Sequence, residues 1–191
     1  SSPAYVAQLQ RLLSTLGLPG DLALSLADWM DNDSETQVPG GAEDSYYLGL
    51  PSPYRCANRP LIELGELSQV KGFDTRTIER LRPYVSVLPG ATPINVNFAP
   101  AEVLAAVIEN LTLSDARQLV QLRQANPFKS IDDFNQRLPH GGIQVLSSDI
   151  SVSSQFFWVT GRAKVGAARV TAQALLQRST TWPKVIWQSV Q

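Results

Sequence analysis

The sequence contains very little of the chemistry on which enzymes and zinc sites depend, with one cysteine (Cys56) and one histidine (His140) in 191 residues. A single cysteine excludes a disulfide within these residues. A structural zinc site takes four Cys or His ligands, so one cysteine and one histidine cannot form such a site. His140 lies in the turn-like sequence LPHGG, which is typical of a solvated loop rather than of a catalytic triad. Because a Gly-rich phosphate loop is also missing, we predict that the chain is not an enzyme.

Long hydrophobic runs and an excess of one charge are also missing. The sequence has no run of about 18 apolar residues, so none of its segments is predicted to span a bilayer. The formal net charge is −1, which gives no electrostatic reason to expect nucleic acid or an anionic membrane as a partner.

Basic residues are missing from one long segment, since no Lys or Arg occurs between Leu12 and Tyr54. The same segment contains seven acidic residues: Asp21, Asp28, Asp31, Asp33, Glu35, Glu43 and Asp44. Carboxylates this dense repel one another unless a distant base or a metal ion neutralises them. Pro39, Gly40 and Gly41 separate the DND and AED clusters, so the chain can fold back and bring both clusters to one point.

We predict a calcium site in this loop, with four ligands: Asp31, Asp33, Glu43 and Asp44. Calcium takes six to eight oxygen ligands in flexible geometry, whereas magnesium tolerates an irregular cage of protein ligands poorly. The loop is not an EF-hand, because Thr36 occupies the sixth position, where glycine is needed, and Ala42 occupies the twelfth. Asp28 lies one helical turn before Asp31 and is a second-choice ligand.

Two other interpretations of the acidic loop remain open at this point. One is a solvated loop whose aspartates cap helices and pair with arginines from elsewhere in the chain. The other is a metal-dependent hydrolase, which would need an open ligand position and a general base. The sequence offers no base beyond the same carboxylates.

The order of the predicted elements, helices first and strands last, is typical of an α+β protein. The first helix is predicted from apolar residues spaced three and four apart: Val6, Leu9, Leu12, Leu13 and Leu16. A later helix is predicted to start at the N-cap Ser114 and to stop at Pro127. We place the helical domain at residues 1–141 and the strands at 142–191.

Three segments have the pattern of strands. Residues 84–88 alternate like a short strand. The run QFFWVTGRAKVGAARVTAQALLQR predicts an antiparallel pair with three basic side chains facing solvent: Arg162, Lys164 and Arg169. Residues 185–187 predict a final edge strand, because Pro183 cannot lie in a central one.

Residues 94–134 are similar to the helix-hairpin-helix modules of DNA-uptake receptors through INVN, Ala99, Arg123, Phe128 and SIDDF. A nucleic-acid-binding module is therefore the alternative function. Phosphate binding in such modules depends on glycines in the hairpin, which let backbone N–H groups approach the phosphate. The corresponding segment here, residues 111–115, has no glycine and ends in an aspartate. We favour a compact helical module used for packing or protein contact.

Six motifs follow one another in the chain: QLQRLLSTLGLP, DWMDND, PGGAEDSYY, PSPYRCANRPLIELGELSQVKGF, LRPYVSVLP and INVNFAPAEVL. In this order they resemble the general secretion pathway protein K family, the minor pseudopilin K of Gram-negative type II secretion systems. The resemblance covers nearly the whole chain. It implies a structural and assembly protein and not an enzyme.

The resemblance implies a type IV pilin-like sheet into which a helical domain with helix-hairpin-helix, SAM-like packing is inserted. It implies calcium bound in that domain, with Asp31, Asp33, Glu43 and Asp44 as the matching carboxylates. It also implies a place at the pseudopilus tip, in complex with the minor pseudopilins I and J and with H below. There the subunit is expected to nucleate and cap assembly and to contact secreted proteins, with no nucleic-acid partner.

The chain departs from the family pattern at its start, because no pilin N-terminal helix or first strand precedes Ser1. We therefore expect a fragment whose C-terminal strands, from about Ile143, lack part of their sheet. Membrane attachment is expected only through the absent helix. The expected location is the periplasm, as part of a protein anchored in the inner membrane of a Gram-negative bacterium.

Overall fold

The helical elements come first in the chain and the main strands last. The computed structural model describes residues 2–143 and 145–190. The helices within these ranges are α1 (Pro3–Thr15), α2 (Leu22–Met30), α3 (Asp44–Tyr47), a 3₁₀ helix (Leu64–Gln69), α4 (Thr75–Leu81), α5 (Ala101–Val107), α6 (Leu113–Ala125) and α7 (Ile131–Gln136). The strands are β1 (Ile94–Asn95), β2 (Ile150–Ser151), β3 (Phe156–Val165), β4 (Ala168–Gln177) and β5 (Lys184–Val190). This order confirms the predicted α+β class.

One hydrophobic core holds the helices together. The predicted stripe of α1 faces this core, with Leu13 fully buried and Leu12 nearly so. Helix α1 packs against α2 and α5, and the guanidinium of Arg11 donates to the carbonyl of Ala106 on α5 over 2.6 Å. Helix α5 is apolar on most of its surface, as expected for a central helix, and its Leu104 is fully buried. No helix in the described part of the chain has the length and apolar character needed to cross a bilayer.

The N-cap of helix α6 lies two residues before the predicted one. Its N-cap is Thr112, whose hydroxyl accepts from the Asp115 N–H over 3.1 Å, while the Asp115 carboxylate accepts from the Thr112 N–H over 3.3 Å. This is a full capping box, in which each side chain satisfies a backbone donor that the helix leaves free. The prediction that Ser114 caps this helix is wrong, because Ser114 lies inside the first turn.

Replacing Thr112 with alanine is therefore expected to destabilise the protein by about 1 kcal/mol, the usual cost of losing a threonine N-cap. Ser114→Ala is the matched control and is expected to change the free energy of unfolding by less than about 0.5 kcal/mol. Urea denaturation of both variants measures the difference. Equal losses in the two variants would contradict the assigned cap.

A short parallel pair links the end of the helical region to its middle. Strand β1 pairs with β2 in the register Ile94 with Ile150, and Ile150 is almost fully buried in the helical core. Residues 150–152 thus pack with the helices although they lie beyond the predicted division at residue 141. That division stays a prediction, and Gln144 and Gln191 within its second part lie outside the described residues.

The remaining strands form an antiparallel sheet in the order β3-β4-β5. The predicted hairpin is confirmed, with β3 and β4 paired from Phe156 opposite Gln177 to Val165 opposite Ala168. Strand β5 lies at an edge, as Pro183 predicted. Residues 84–88 form no strand, so that prediction is wrong. No described strand pairs with them through its backbone, and the Ser86 hydroxyl instead accepts a hydrogen bond from the Trp158 indole of β3 over 3.0 Å.

Candidate metal centre

The acidic loop leaves α2 and returns to α3, which brings its two ends together. Helix α2 ends at Met30 and Asp31 is its C-cap residue. A tight turn closes the far side of the loop, where the Gly41 N–H donates to the carbonyl of Gln37 over 2.8 Å. Glu43 then serves as the N-cap residue of α3. The helix ends therefore fix the positions of both acidic clusters.

Three of the four predicted ligands converge. Asp31, Asp33 and Glu43 each offer a carboxylate oxygen, and these oxygens lie within 4.8 Å of one another. Calcium binds oxygen at about 2.3–2.6 Å, so two ligands on opposite sides of one ion are about 5 Å apart. The observed spacing therefore fits one calcium ion.

Asp28 lies behind this group and is fully buried. Its Oδ2 accepts from the Gln37 N–H over 3.1 Å, whereas its Oδ1 has no hydrogen-bond partner. A buried carboxylate oxygen without a partner is costly. Asp31 Oδ1 and Glu43 Oε1 are also buried without a hydrogen-bond partner, so three neighbouring residues each have an unsatisfied buried oxygen.

The electrostatics of the cluster are those of carboxylates without a neutralising cation. Burial raises the pKa of Asp28, Asp31 and Glu43, and repulsion from the neighbouring carboxylates raises each pKa further. Among residues 2–143 and 145–190, none of the ion pairs involves these three residues or Asp33. A carboxyl with a raised pKa stabilises the fold only while it is protonated, and this contribution is lost as the pH rises through that pKa. At neutral pH a bound divalent cation would remove the penalty.

The backbone of the turn fits closely around Asp28. A Cβ added to Gly41 would overlap Asp28 Oδ2 and the backbone of Gln37, so this position requires glycine. The Ser25 hydroxyl donates to the Gly40 carbonyl over 2.9 Å, and the Lys71 ammonium donates to the Gly41 carbonyl over 3.1 Å. These contacts tie the turn to α2 and to the segment after the 3₁₀ helix. The loop sequence could not predict the hydrogen bond from Lys71, because Lys71 lies outside the loop.

Asp44, the fourth predicted ligand, makes other contacts. Its Oδ2 pairs with the Arg55 guanidinium over 2.9 Å, and its Oδ1 accepts from the Cys56 N–H over 2.9 Å. Asp44 is not part of the group of oxygens that Asp31, Asp33 and Glu43 form. Arg55 is the first basic residue after the acidic segment, and this is the sequence signal that could have suggested the pair.

The only cysteine packs against the cluster. The Cys56 Sγ lies 3.7 Å from the Ala42 carbonyl oxygen and 3.7 Å from Glu43 Oε2. Burial, together with the nearby carboxylates, raises the pKa of this thiol to about 12, so it stays protonated at neutral pH. Cys56 is therefore a small buried side chain and a weak hydrogen-bond donor in this position.

A cluster of aromatic side chains packs between the two helices that flank the acidic loop. Tyr47 is fully buried, and its ring centroid lies 5.0 Å from that of Trp29 and 5.4 Å from that of Tyr54. The Tyr47 hydroxyl accepts from the Lys71 N–H over 3.1 Å. Since α2 contributes Trp29 and α3 contributes Tyr47, this packing holds the two ends of the acidic loop together.

The hairpin between α5 and α6 does not have the geometry of a phosphate site. The Asp115 carboxylate takes part in the capping box at the N-terminus of α6, where a phosphate would have to bind. His140 Nε2 lies 3.2 Å from the same carboxylate. An anion at this helix end would meet a carboxylate instead of free N–H groups. The geometry gives no support to the alternative nucleic-acid-binding function.

Comparison with known proteins identifies the family. Two family models described as "Type II secretion system (T2SS), protein K" match residues 1–90 and residues 94–153. The type II secretion system protein K of Pseudomonas aeruginosa is 36% identical over 180 residues, which is 92% of this chain and 54% of that protein. The protein of the same name from Pectobacterium carotovorum is 36% identical over 187 residues, covering 92% of this chain and 57% of the relative. The chain thus spans about half the length of the curated relatives it matches.

A solved structure has the same fold. It is described as the crystal structure of the GspK-GspI-GspJ complex from the enterotoxigenic Escherichia coli type 2 secretion system. The match has a TM-score of 0.84 and 28% identity, and it covers 100% of this chain and 72% of the matched one. The family is a component of a secretion machine, which confirms the prediction that the chain is not an enzyme. The two family models, the curated relatives and the shared fold together show that this chain belongs to the type II secretion system protein K family.

Proposed function

We propose that this chain is the large periplasmic part of a minor pseudopilin that forms the tip of the type II secretion pseudopilus with the minor pseudopilins I and J. The observation that carries the proposal is the similarity of the whole chain to a structure of the GspK-GspI-GspJ complex. Nothing in the described residues offers a catalytic arrangement that would suggest a different role. The chain acts through its surfaces and its shape.

The exposed sheet supports a pilin-like arrangement. Four aliphatic side chains share one face of β3 and β4 because they alternate along each strand: Val159, Ala163, Val170 and Ala174. Val159 and Val170 are each 45% exposed, which is high for aliphatic side chains in the middle of a sheet. A helix packed across this face would bury them, as the N-terminal helix does in pilin-like folds.

The bulk of the helical region supports a capping role. It comprises α1 to α7 and packs as one hydrophobic core, whereas the sheet is a thin layer with most of its residues exposed. A subunit that places so large a body beyond its sheet would block the addition of another subunit above it. The same body offers a surface for secreted proteins.

Calcium is the third part of the proposal, with Asp31, Asp33 and Glu43 as ligands. The spacing of the three carboxylates supports it, as do the unsatisfied oxygens and the raised pKa values of Asp31 and Glu43. Asp28 would assist from behind through its negative charge, and Asp44 would hold Arg55 and the start of α3 in place. When bound, the ion supplies positive charge and ties the two ends of the loop together. Its role would be to stabilise the fold.

Assembly with the partner subunits tests the tip assignment. We expect the purified chain to elute from a size-exclusion column in one complex with the periplasmic domains of the minor pseudopilins I and J from the same bacterium. The control is the I and J mixture without the chain, which should elute later. Separate elution of the chain at micromolar concentrations of all three proteins would overturn the proposed place at the tip.

A further inference from the structure

The near-zero net charge of the chain conceals a strong separation of charge. All 17 acidic residues lie at or before Asp149, whereas the segment that follows contains only basic charges: Arg162, Lys164, Arg169, Arg178 and Lys184. The three-stranded sheet is therefore a purely cationic part of an otherwise acidic protein. An anionic partner would be attracted to the sheet and repelled by the helical region.

Three of these cations gather at one end of the β3–β4 hairpin. In the register of the strands Lys164 lies opposite Arg169, and Arg162 lies opposite Thr171. Because facing residues of an antiparallel pair share a face, the three basic side chains lie on the same face. Residues 161–170 are all exposed, and no described salt bridge involves any of them.

This end of the hairpin lies far from the described contact between β3 and the helical region. Within the described residues, strand β5 pairs with β4 from Gln177 to Ala172. The contact of β3 with the helical region lies at its other end, where Trp158 donates to Ser86. At about 3.4 Å per residue, the apex lies roughly 24 Å from that contact. The apex is thus well separated from this contact with the acidic helical region.

The apex itself is apolar. Val165 is 80% exposed and lies opposite Ala168, and the turn between them is Gly166-Ala167. Lys164 and Arg169 are one residue behind this pair, or about 3 Å, and Arg162 is about 10 Å behind it. Long basic side chains at these depths reach the phosphate level of a bilayer while a small aliphatic tip enters the headgroup region.

We propose that the β3–β4 hairpin is a contact site for an anionic phospholipid surface, with the aliphatic apex directed into the headgroups and Arg162, Lys164 and Arg169 bound to lipid phosphates. An acidic protein surface is a weaker match, because the apex has no aromatic anchor of the kind that dominates protein interfaces. Such a membrane contact would not depend on assembly with other subunits, so it goes beyond the proposed function.

Sedimentation with lipid vesicles tests the proposal. We expect the 191-residue chain to bind vesicles containing about 30% phosphatidylglycerol in phosphatidylcholine at low salt, and to be released at about 0.5 M NaCl. The triple variant Arg162→Gln, Lys164→Gln, Arg169→Gln is expected to bind on the order of 100-fold more weakly, because each basic residue near an anionic bilayer contributes about a sixfold factor.

The matched control removes three exposed arginines from the helical region: Arg76→Gln, Arg82→Gln and Arg117→Gln. It changes the net charge equally and is expected to leave vesicle binding within about twofold of the parent chain. A second readout is an environment-sensitive dye on Ala167→Cys, whose emission should shift to the blue on anionic vesicles. The same dye on Gln118→Cys of α6 should not shift, and the native Cys56 is too buried to react.

Three outcomes would overturn the proposal. The first is equal binding to pure phosphatidylcholine vesicles, and the second is equal loss of binding in the two triple variants. The third is a hairpin variant that keeps its vesicle binding but loses its complex with the minor pseudopilins I and J, which would assign the basic face to an acidic protein surface.

Discussion

Chelation of calcium is expected to lower the melting temperature of this protein by about 5–10 °C. A ligand present at about 100 times its dissociation constant stabilises the folded state by about 2.7 kcal/mol. For a chain of this size, each kcal/mol corresponds to roughly 2–4 °C. Thermal unfolding is measured in millimolar calcium and again after addition of excess EGTA, and the difference between the two melting temperatures is the expected shift.

The expected size of this effect follows from the state of the cluster without metal. Asp28, Asp31 and Glu43 each have a buried oxygen without a partner, and burial and mutual repulsion raise their pKa values. Without a cation the protein therefore carries an electrostatic penalty at neutral pH, which a bound calcium ion would remove. Magnesium in place of calcium is expected to restore little of the melting temperature, because it requires near-ideal octahedral geometry.

Matched variants assign the shift to this site. Asp31→Ala with Asp33→Ala is expected to abolish the response to EGTA. Glu79→Ala with Asp132→Ala removes the same charge from exposed positions that make no side-chain ion pair within the described residues, and it should keep the full response. A response that survives in the first pair, or an unmodified protein that does not respond to EGTA, would rule out a calcium site formed by these ligands.

Replacing Tyr47 with alanine is expected to cost about 3–5 kcal/mol, the range for removing a fully buried aromatic side chain. Tyr47 is 0% exposed and packs against Trp29, Tyr46 and Tyr54. The cavity left behind would separate α2 from α3, and the Lys71 N–H would lose its acceptor. Since single domains are typically stable by 5–15 kcal/mol, this loss is a large part of the total.

The neighbouring tyrosine provides the control for this experiment. Tyr46 is 40% exposed, so Tyr46→Ala is expected to cost only about 1 kcal/mol. Tyr47→Phe keeps the ring and isolates the hydroxyl, with an expected loss of about 1–2 kcal/mol. Urea denaturation gives the free energy of unfolding of each of the three variants, and these values can be compared directly if the m-values are equal. If Tyr46→Ala proved as costly as Tyr47→Ala, the aromatic cluster would not be the support of the loop.

Sequence patterns predicted those elements whose residues form regular local repeats. The apolar stripe of α1 was sufficient for the first helix, and the run QFFWVTGRAKVGAARVTAQALLQR was sufficient for the hairpin, because both depend on residues close together in the chain. The error at Ser114 arose because Ser and Thr are both good N-caps, and the capping box that selects Thr112 depends on Asp115. The error at residues 84–88 arose because a strand needs a partner, and local alternation does not supply one.

By itself, the sequence determined the helix-then-strand order and the acidic loop without basic residues. It also determined that the residues needed for a catalytic triad or a structural zinc site are too few. Tertiary structure alone decided which carboxylates meet. Asp31, Asp33 and Glu43 converge because α2 and α3 are held together by Trp29 and Tyr47, whereas Asp44 pairs with Arg55. The placement of Arg162, Lys164 and Arg169 on one face was also decided there, because it depends on the register of β3 with β4. The physical reason is that charge and hydrophobic period are local properties, whereas the direction of a side chain and its partners depend on residues distant in the chain.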